Sequence, residues 1–235
     1  TEVAYMGCRT RVMGNHHDPS REVTCGRGNL SFVSINLPRL GIKAHGDIQA
    51  FYESLDKMLD LACRQLLHRF AIQCKKKVRN YPFLMGQGIW LDSDKLDVDD
   101  SVAEVLKHGT LSVGFIGLAE TLVALTGKHH GESPESQRLG LEIIGHMRKR
   151  MDEKSEETGL NFTLLATPAE GLSGRFVRID KKRFGELPGI TDREYYTNSF
   201  HIPVYYPIRA FDKIRLEAPY HALTNAGHIS YVELD

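Results

Sequence analysis

Apolar residues recur along this chain with two periods, and the alternation between them predicts its elements. Leu30, Phe32, Val33, Ile35, Leu37 and Leu40 form a nearly continuous run. Asn29 opens it, and Pro38 and Gly41 close it, which predicts a buried strand over residues 31–40. Beyond Asp47, read as an N-cap, Ile48, Phe51, Tyr52, Leu55, Met58, Leu59, Ala62, Leu66 and Phe70 return every three or four residues. That is the stripe of a long amphipathic helix reaching residue 78. Residues 80–100 carry Pro82 and a cluster of aspartates without period, and read as irregular.

A second apolar run over residues 111–116 leads into another at 118–125. After a loop at 127–132, Ser133 caps a helix with Pro134 at its first position. Leu139, Ile143, Ile144, Met147 and Met151 form its stripe, and Gly159 stops it. Residues 161–166 predict a third strand. Thr167-Pro168-Ala169-Glu170 then reads as a capping box, with Thr at the cap, Pro first and Glu third, opening a helix towards residue 184. Residues 195–204 predict a fourth strand, 207–218 a helix and 228–234 a fifth strand. Strands alternating with helices, without tight hairpins, imply parallel pairing through crossovers and an α/β fold.

Composition narrows the function classes. The chain has 235 residues, 41% hydrophobic and 26% charged, ordinary for a soluble domain with a real core. Thirty basic residues balance thirty acidic ones, so no net field favours nucleic acid or an anionic membrane, and neither is expected as a partner. No apolar run approaches the roughly 20 residues that cross a bilayer. The chain begins without methionine and ends on a strand-like run, and reads as a piece of a longer protein.

The four cysteines (Cys8, Cys25, Cys63, Cys74) form no C-x-x-C pair. Cys63 falls inside the helical stripe as a small buried hydrophobe, and Cys25 sits on a loop. Cys8 lies between Gly7 and Arg9 in a segment without period, so a loop offers its sulfur. The paired histidines His16-His17 and His129-His130 have no partner at metal spacing, and no metal site is expected. His201 and His228, on predicted strands, read as core histidines or as residues reaching a substrate.

Several blocks resemble one family. Tyr5-Met6-Gly7-Cys8-Arg9-Thr10-Arg11, residues 26–41 with Arg27-Gly28-Asn29, and the stretches 112–133, 161–185, 192–205 and 216–235 resemble the anaerobic, oxygen-sensitive (class III) ribonucleotide reductases, which are glycyl-radical enzymes. The resemblance covers essentially the whole chain. It implies a ten-stranded α/β barrel, of which residues 1–28 are the finger loop and 29–235 the second five-stranded half. The amino-terminal effector region, the glycyl-radical loop and a four-cysteine zinc site would belong to the rest of the protein.

The resemblance also assigns roles. Cys8 would be the thiyl that takes a hydrogen atom from ribose carbon 3. No side-chain base removes an unactivated C–H proton at neutral pH, so a sulfur radical is the group required. From the residues alone Cys8 is equally a free loop thiol. Asn29 would hydrogen-bond the ribose hydroxyls, since an amide both donates and accepts, although by composition it is simply a turn residue. Met6 matches a methionine of formate-using members, with a packing role as the alternative. Thr10 stands where aerobic reductases carry glutamate, which disfavours thiol-pair chemistry and favours formate as reductant.

Residues Thr167, Pro168, Ala169, Glu170, Gly171 and Leu172 would hold the substrate phosphates, chiefly through the backbone N–H groups of residues 169–172 at a helix N-terminus. The substrate would be a ribonucleoside triphosphate. The partners implied are a radical S-adenosylmethionine activase and a second copy in a homodimer, in the cytoplasm. Another glycyl-radical enzyme of the formate-lyase or dehydratase type, and an inactive phosphate-binding half-barrel, are the competing readings.

Overall fold

Three long strands carry the sheet in the computed structural model, which describes residues 5–6 and 9–232. They are β3 (Asn29–Asn36), β4 (Thr110–Ile116) and β5 (Asn161–Ala166), in the order β3-β4-β5 and all parallel. Before them, β1 (Tyr5–Met6) and β2 (Thr10–Arg11) pair antiparallel, Met6 with Thr10. Parallel neighbours need crossovers, and helices supply them. α1 (Leu37–Ala44), α2 (Ile48–Cys74) and the short α3 (Ala103–Leu106) join β3 to β4; α4 (Leu118–Thr126) and α5 (Pro134–Thr158) join β4 to β5. α6 (Glu170–Phe184) and α7 (Ala210–His221) follow. No helix among the described residues is long and apolar enough to cross a membrane.

One face of the sheet is apolar. Ile35 on β3, Leu111, Val113 and Phe115 on β4, and Phe162, Leu164 and Ala166 on β5 share a core with Phe51, Leu55, Leu59 and Leu66 of α2 and Ile143, Ile144, Met147 and Met151 of α5. Each of these side chains larger than alanine contributes about 1.5–3 kcal/mol on burial. The helical stripes therefore lie where their periodicity predicts. Asp47 accepts from the Ala50 amide at 3.0 Å and Ser133 from the Ser136 amide at 3.1 Å, so both caps form as expected.

Four expectations need correction. The strand expected over residues 31–40 gives way to helix at Leu37: Asn36 Oδ1 accepts from the Arg39 amide at 3.2 Å, and Pro38 sits in the first helical turn. Proline there opens a helix rather than closing a strand. Gly41 serves close packing, since a Cβ would lie 3.2 Å from Ala124 Cβ and 3.2 Å from the Thr121 carbonyl on α4.

The expected fourth strand, residues 195–204, is irregular. It touches the sheet by a single Ile116–Asn198 bridge, and Ser199 at φ 43° bends it out of extended backbone. The expected fifth strand is also missing from residues 228–232; the sheet edge is met slightly earlier, where Ala226 donates to the Leu164 carbonyl at 2.9 Å and Ala166 to the Gly227 carbonyl at 3.1 Å. The sheet of the described residues thus has three strands where five were expected.

The Thr167 capping box does not form. The helix begins at Glu170 with Ala169 as its cap, and the Thr167 hydroxyl is engaged elsewhere.

Candidate functional site

The second face of the sheet is polar. In register across it lie Ser34 on β3, Thr110, Ser112 and Gly114 on β4, and Asn161 and Thr163 on β5. Strand alternation would put Asn29 on the opposite face, with Val33 and Ile35. A register shift between Asn29 and Ser31 reverses that. One irregular residue flips every side chain beyond it, so Asn29 turns onto the polar face. Its Nδ2 donates to Thr110 Oγ1 at 3.2 Å and to Ser112 Oγ, and Ser112 Oγ lies 2.8 Å from Thr163 Oγ1. Both amide hydrogens are thus committed, leaving Oδ1 as the acceptor.

Further along the same face Ser34 Oγ meets Thr167 Oγ1 at 2.9 Å. This places Thr167 beside the sheet at the C-terminal end of β5, where α6 begins. Asn198 Oδ1 takes the Ala169 amide at 3.2 Å. That removes one of the four N–H groups expected to face an anion. The amides of Glu170, Gly171 and Leu172, first in the helix, have no intrahelical acceptor, and the ground over Gly171 is open. Glu170 and Gly171 are exposed, Pro168 is half-buried, and Leu172 packs against Ile116 and Val177.

Thr197, the residue before Asn198, is held by a residue the sequence reading missed. Glu120, wholly buried on α4, accepts from the Thr197 amide at 2.8 Å and from Thr197 Oγ1 at 2.7 Å, and burial pushes its carboxyl above the usual range. An acid inside an otherwise apolar helical run was the signal that could have found it.

At the other end of the polar face an open cleft of about 670 Å³ is lined by Met6, Thr10, Arg27, Gly28, Asn29, Phe32, Arg69 and Trp90, with Leu84 and Ile89 at its rim. A Cβ on Gly28 would lie 3.3 Å from Trp90 Cζ3 and 3.8 Å from Met6 Sδ, so ring and thioether both close over that glycine, next to Asn29. Trp90, whose Nε1 donates to the Val105 carbonyl at 2.7 Å, comes from the stretch read as irregular, where no pattern announced it.

Cys8 lies outside the described residues. Its chain neighbours Met6 and Thr10 are paired with each other, and both line this cleft. Asn29 and Met6 are therefore brought together; residues 167–172 lie about five residues further along the sheet, on the order of 16 Å away at 3.3 Å per residue.

The two predicted strand histidines sit off the sheet. His201 is buried with Nδ1 3.3 Å from Glu217 Oε2, and His228 stacks on His221 with ring centroids 4.1 Å apart. Both read as packed residues. Cys63 is buried, its thiol pushed up to about 11, and Cys25 is exposed.

A parallel α/β sheet with a hydroxyl-lined face, an amide held in place and a helix N-terminus at a strand end is an arrangement with room and donors for an anionic ligand. Among solved structures, this fold is similar to that of the anaerobic ribonucleotide reductase from Thermotoga maritima with citrate in its active site, at a TM-score of 0.67 and 17% identity, over 86% of this chain and 35% of that one. The same enzyme in complex with dATP and CTP gives 0.65 and 19%, over 85% of this chain and 32% of that one.

By sequence, the chain is 41% identical over 231 residues to the anaerobic ribonucleoside-triphosphate reductase of Escherichia coli (strain K12), covering 97% of this chain and 32% of that protein. It is 35% identical over 238 residues to that of Enterobacteria phage T4, covering 99% and 37%. The family profile described as anaerobic ribonucleoside-triphosphate reductase matches residues 1–235, and the chain belongs to that family. It spans about a third of the length of these relatives.

Proposed function

We propose that the protein to which this chain belongs reduces ribonucleoside triphosphates to deoxyribonucleoside triphosphates by thiyl-radical chemistry, with formate as reductant. The observation that carries this reading is the reversal at the start of β3. It sets Asn29 on the same face as the hydroxyls that lead to Thr167, beside the cleft lined by the residues that flank Cys8. On this reading the ribose lies at the Asn29 end and the phosphates at the first free amides of α6. Asn29 Oδ1 then accepts from a ribose hydroxyl while Ser112 and Thr110 hold its Nδ2.

Residues 1–28 act as the finger loop of a ten-stranded barrel, whose second half this chain forms. A glycyl radical elsewhere in the longer polypeptide supplies the unpaired electron. Cys8 takes the hydrogen atom from carbon 3 and returns it at the end. The balance is one ribonucleotide, one formate and one proton giving one deoxyribonucleotide, one carbon dioxide and one water. Met6, whose thioether lies against Gly28, contacts the cysteine sulfur on this reading. Thr10, standing where the aerobic reductases carry glutamate, supplies no acid for a thiol pair. A radical S-adenosylmethionine activase, a homodimer, a zinc site outside this chain and a cytoplasmic location complete the proposal.

The test is anaerobic turnover of the complete protein with its activase, comparing wild type with Cys8→Ser. Product lost with the glycyl radical intact supports the reading; retained turnover removes Cys8 from its role. Labelled formate should appear as carbon dioxide in step with deoxynucleotide.

A further inference from the structure

Residues 225–227 stand between the sheet and the segment that follows Cys8. On one side they dock on β5: Asn225 Oδ1 accepts from the Leu164 amide at 2.9 Å, Ala226 donates to the Leu164 carbonyl at 2.9 Å, and the Gly227 carbonyl accepts from Ala166 at 3.1 Å. On the other side they carry β2. The Arg11 amide donates to the Ala226 carbonyl at 2.7 Å and Arg11 Nε to the Asn225 carbonyl at 3.3 Å.

Gly227 is where the two backbones cross most closely. A Cβ there would overlap the Arg9 carbonyl oxygen and lie 2.7 Å from the Arg9 carbonyl carbon and 3.0 Å from Thr10 Cα. Its φ of 128° is also one that glycine alone adopts readily. The atoms met are main chain, so no rotamer change relieves the overlap; residues 9–10 would have to move.

A second contact holds the same stretch. Arg9 is 1% exposed, and its Nη2 donates to the Tyr231 hydroxyl. The Tyr231 ring meets buried His201 edge-on at 5.3 Å, and His201 Nδ1 lies 3.3 Å from Glu217 Oε2.

We propose that Gly227 is a positioning residue for Cys8, with Tyr231 as its second support, an inference that rests on the reductase reading above. Met6 and Thr10 are paired, so only three residues join them and Cys8 is the middle one. At about 3.8 Å per residue, a connection that short transmits any shift of residues 9–10 to Cys8.

The experiment uses full-length protein with two readouts. In activated enzyme, Gly227→Ala should lower kcat about 10²-fold, the cost of misplacing a reacting group by about 1 Å. The KM for nucleotide, the nucleotide-binding stoichiometry and the glycyl-radical content should match wild type. In radical-free protein, iodoacetamide should label Cys8 severalfold faster, scored on the Cys8 peptide so that Cys25, Cys63 and Cys74 do not contribute.

Unchanged kcat and labelling would overturn the assignment. So would a kcat that falls only in step with radical content and nucleotide stoichiometry, the mark of a fold merely weakened. If Gly227→Ala does not fold, Tyr231→Phe decides, since Tyr231 is 42% exposed and the ring is kept. It should lower kcat about tenfold, the lower end for a hydrogen bond to a charged group, and speed labelling; no change in either overturns the proposal. Turnover retained in Cys8→Ser would sink the reductase reading, while the labelling rates would still decide whether residue 227 seats this segment.

Discussion

Ser34 and Thr167, 133 positions apart in the chain, meet hydroxyl to hydroxyl at 2.9 Å directly over Gly114 of the strand between them. A Cβ on Gly114 would overlap Thr167 Oγ1 and approach Ser34 Oγ to 3.2 Å. The glycine is therefore what lets the turn before α6 lie flat on the sheet. Gly114→Ala should destabilise the protein by about 1–3 kcal/mol, the usual cost of overpacking. It should also raise the KM for nucleotide more than it lowers kcat, because the α6 amides move while Asn29 does not. Urea unfolding and steady-state kinetics of the full-length enzyme check both; an unchanged KM would detach this turn from the phosphates.

Asn29 owes its place to an irregularity one residue long. Its amide bonds Thr110 and Ser112, and Ser112 remains bonded to Thr163 whatever stands at 29. Asn29→Ala should therefore leave the fold standing and reduce turnover by roughly 10² or more, as loss of a preorganised contact to reacting groups does. Asn29→Asp keeps the acceptor but loses the donors that Thr110 and Ser112 need, and should be nearly as poor. Near wild-type kcat in either variant, with the radical content matched, would remove Asn29 from the chemistry.

The helices and the three parallel strands were legible because their periods and caps are local. Asp47, Ser133 and Gly159 all act at the ends where they were read. The strands expected at residues 195–204 and, among the described residues, at 228–232 failed for a different reason. Apolar β-branched content says that a segment is buried, not that its hydrogen bonds form a ladder; the first segment meets the sheet by one isolated bridge at Asn198, and the other bridge falls at Gly227, ahead of the second. Leu37 was misread because a strand and a helix that follow without a loop merge into one apolar run; Asn36 and Pro38 were the cap signal. Of the site, Asn29 and Met6 came from family resemblance, and the α6 N-terminus from the residues and the resemblance together. Gly114 could be assigned only once the register brought distant residues together, whereas Glu120 stood in the sequence as an acid in an apolar helical run.

His130 should make stability depend on pH. Its Nε2–H donates to the Phe200 carbonyl at 2.7 Å, Nδ1 has no hydrogen-bond partner, and burial drives its pKa to about 3. The unfolded imidazole titrates near 6.5. Below that pH the unfolded chain takes up a proton that the folded one refuses, so stability falls as pH drops from about 6.5 towards 3 and is flat above. At about 1.4 kcal/mol per unit, roughly 2 kcal/mol should be lost between pH 6.5 and 5 through this residue. His130→Gln keeps the donor without titrating. Urea midpoints from pH 5 to 8 should show a shallower slope for it by one proton; parallel curves would mean His130 is protonated in the fold.

Asp180 ties the proposed phosphate helix to the rest of the sheet. Fully buried on α6, it accepts from Arg39 Nε at 2.6 Å, Asn36 Nδ2 at 2.7 Å and the Tyr196 hydroxyl at 3.0 Å, joining α6 to α1, the end of β3 and the segment that carries Asn198. Removing one member of a buried ionic group leaves the others desolvated without a partner. Asp180→Ala should therefore cost about 3 kcal/mol, at the lower end for such losses because Arg39 keeps some solvent contact. Replacing both partners, Asp180→Leu with Arg39→Leu, should recover part of that, since two apolar side chains leave no orphaned charge. A double variant as unstable as the sum of its singles would show that the pair is not coupled, and that α6 is held in place by the packing of Val177 and Ala169 instead.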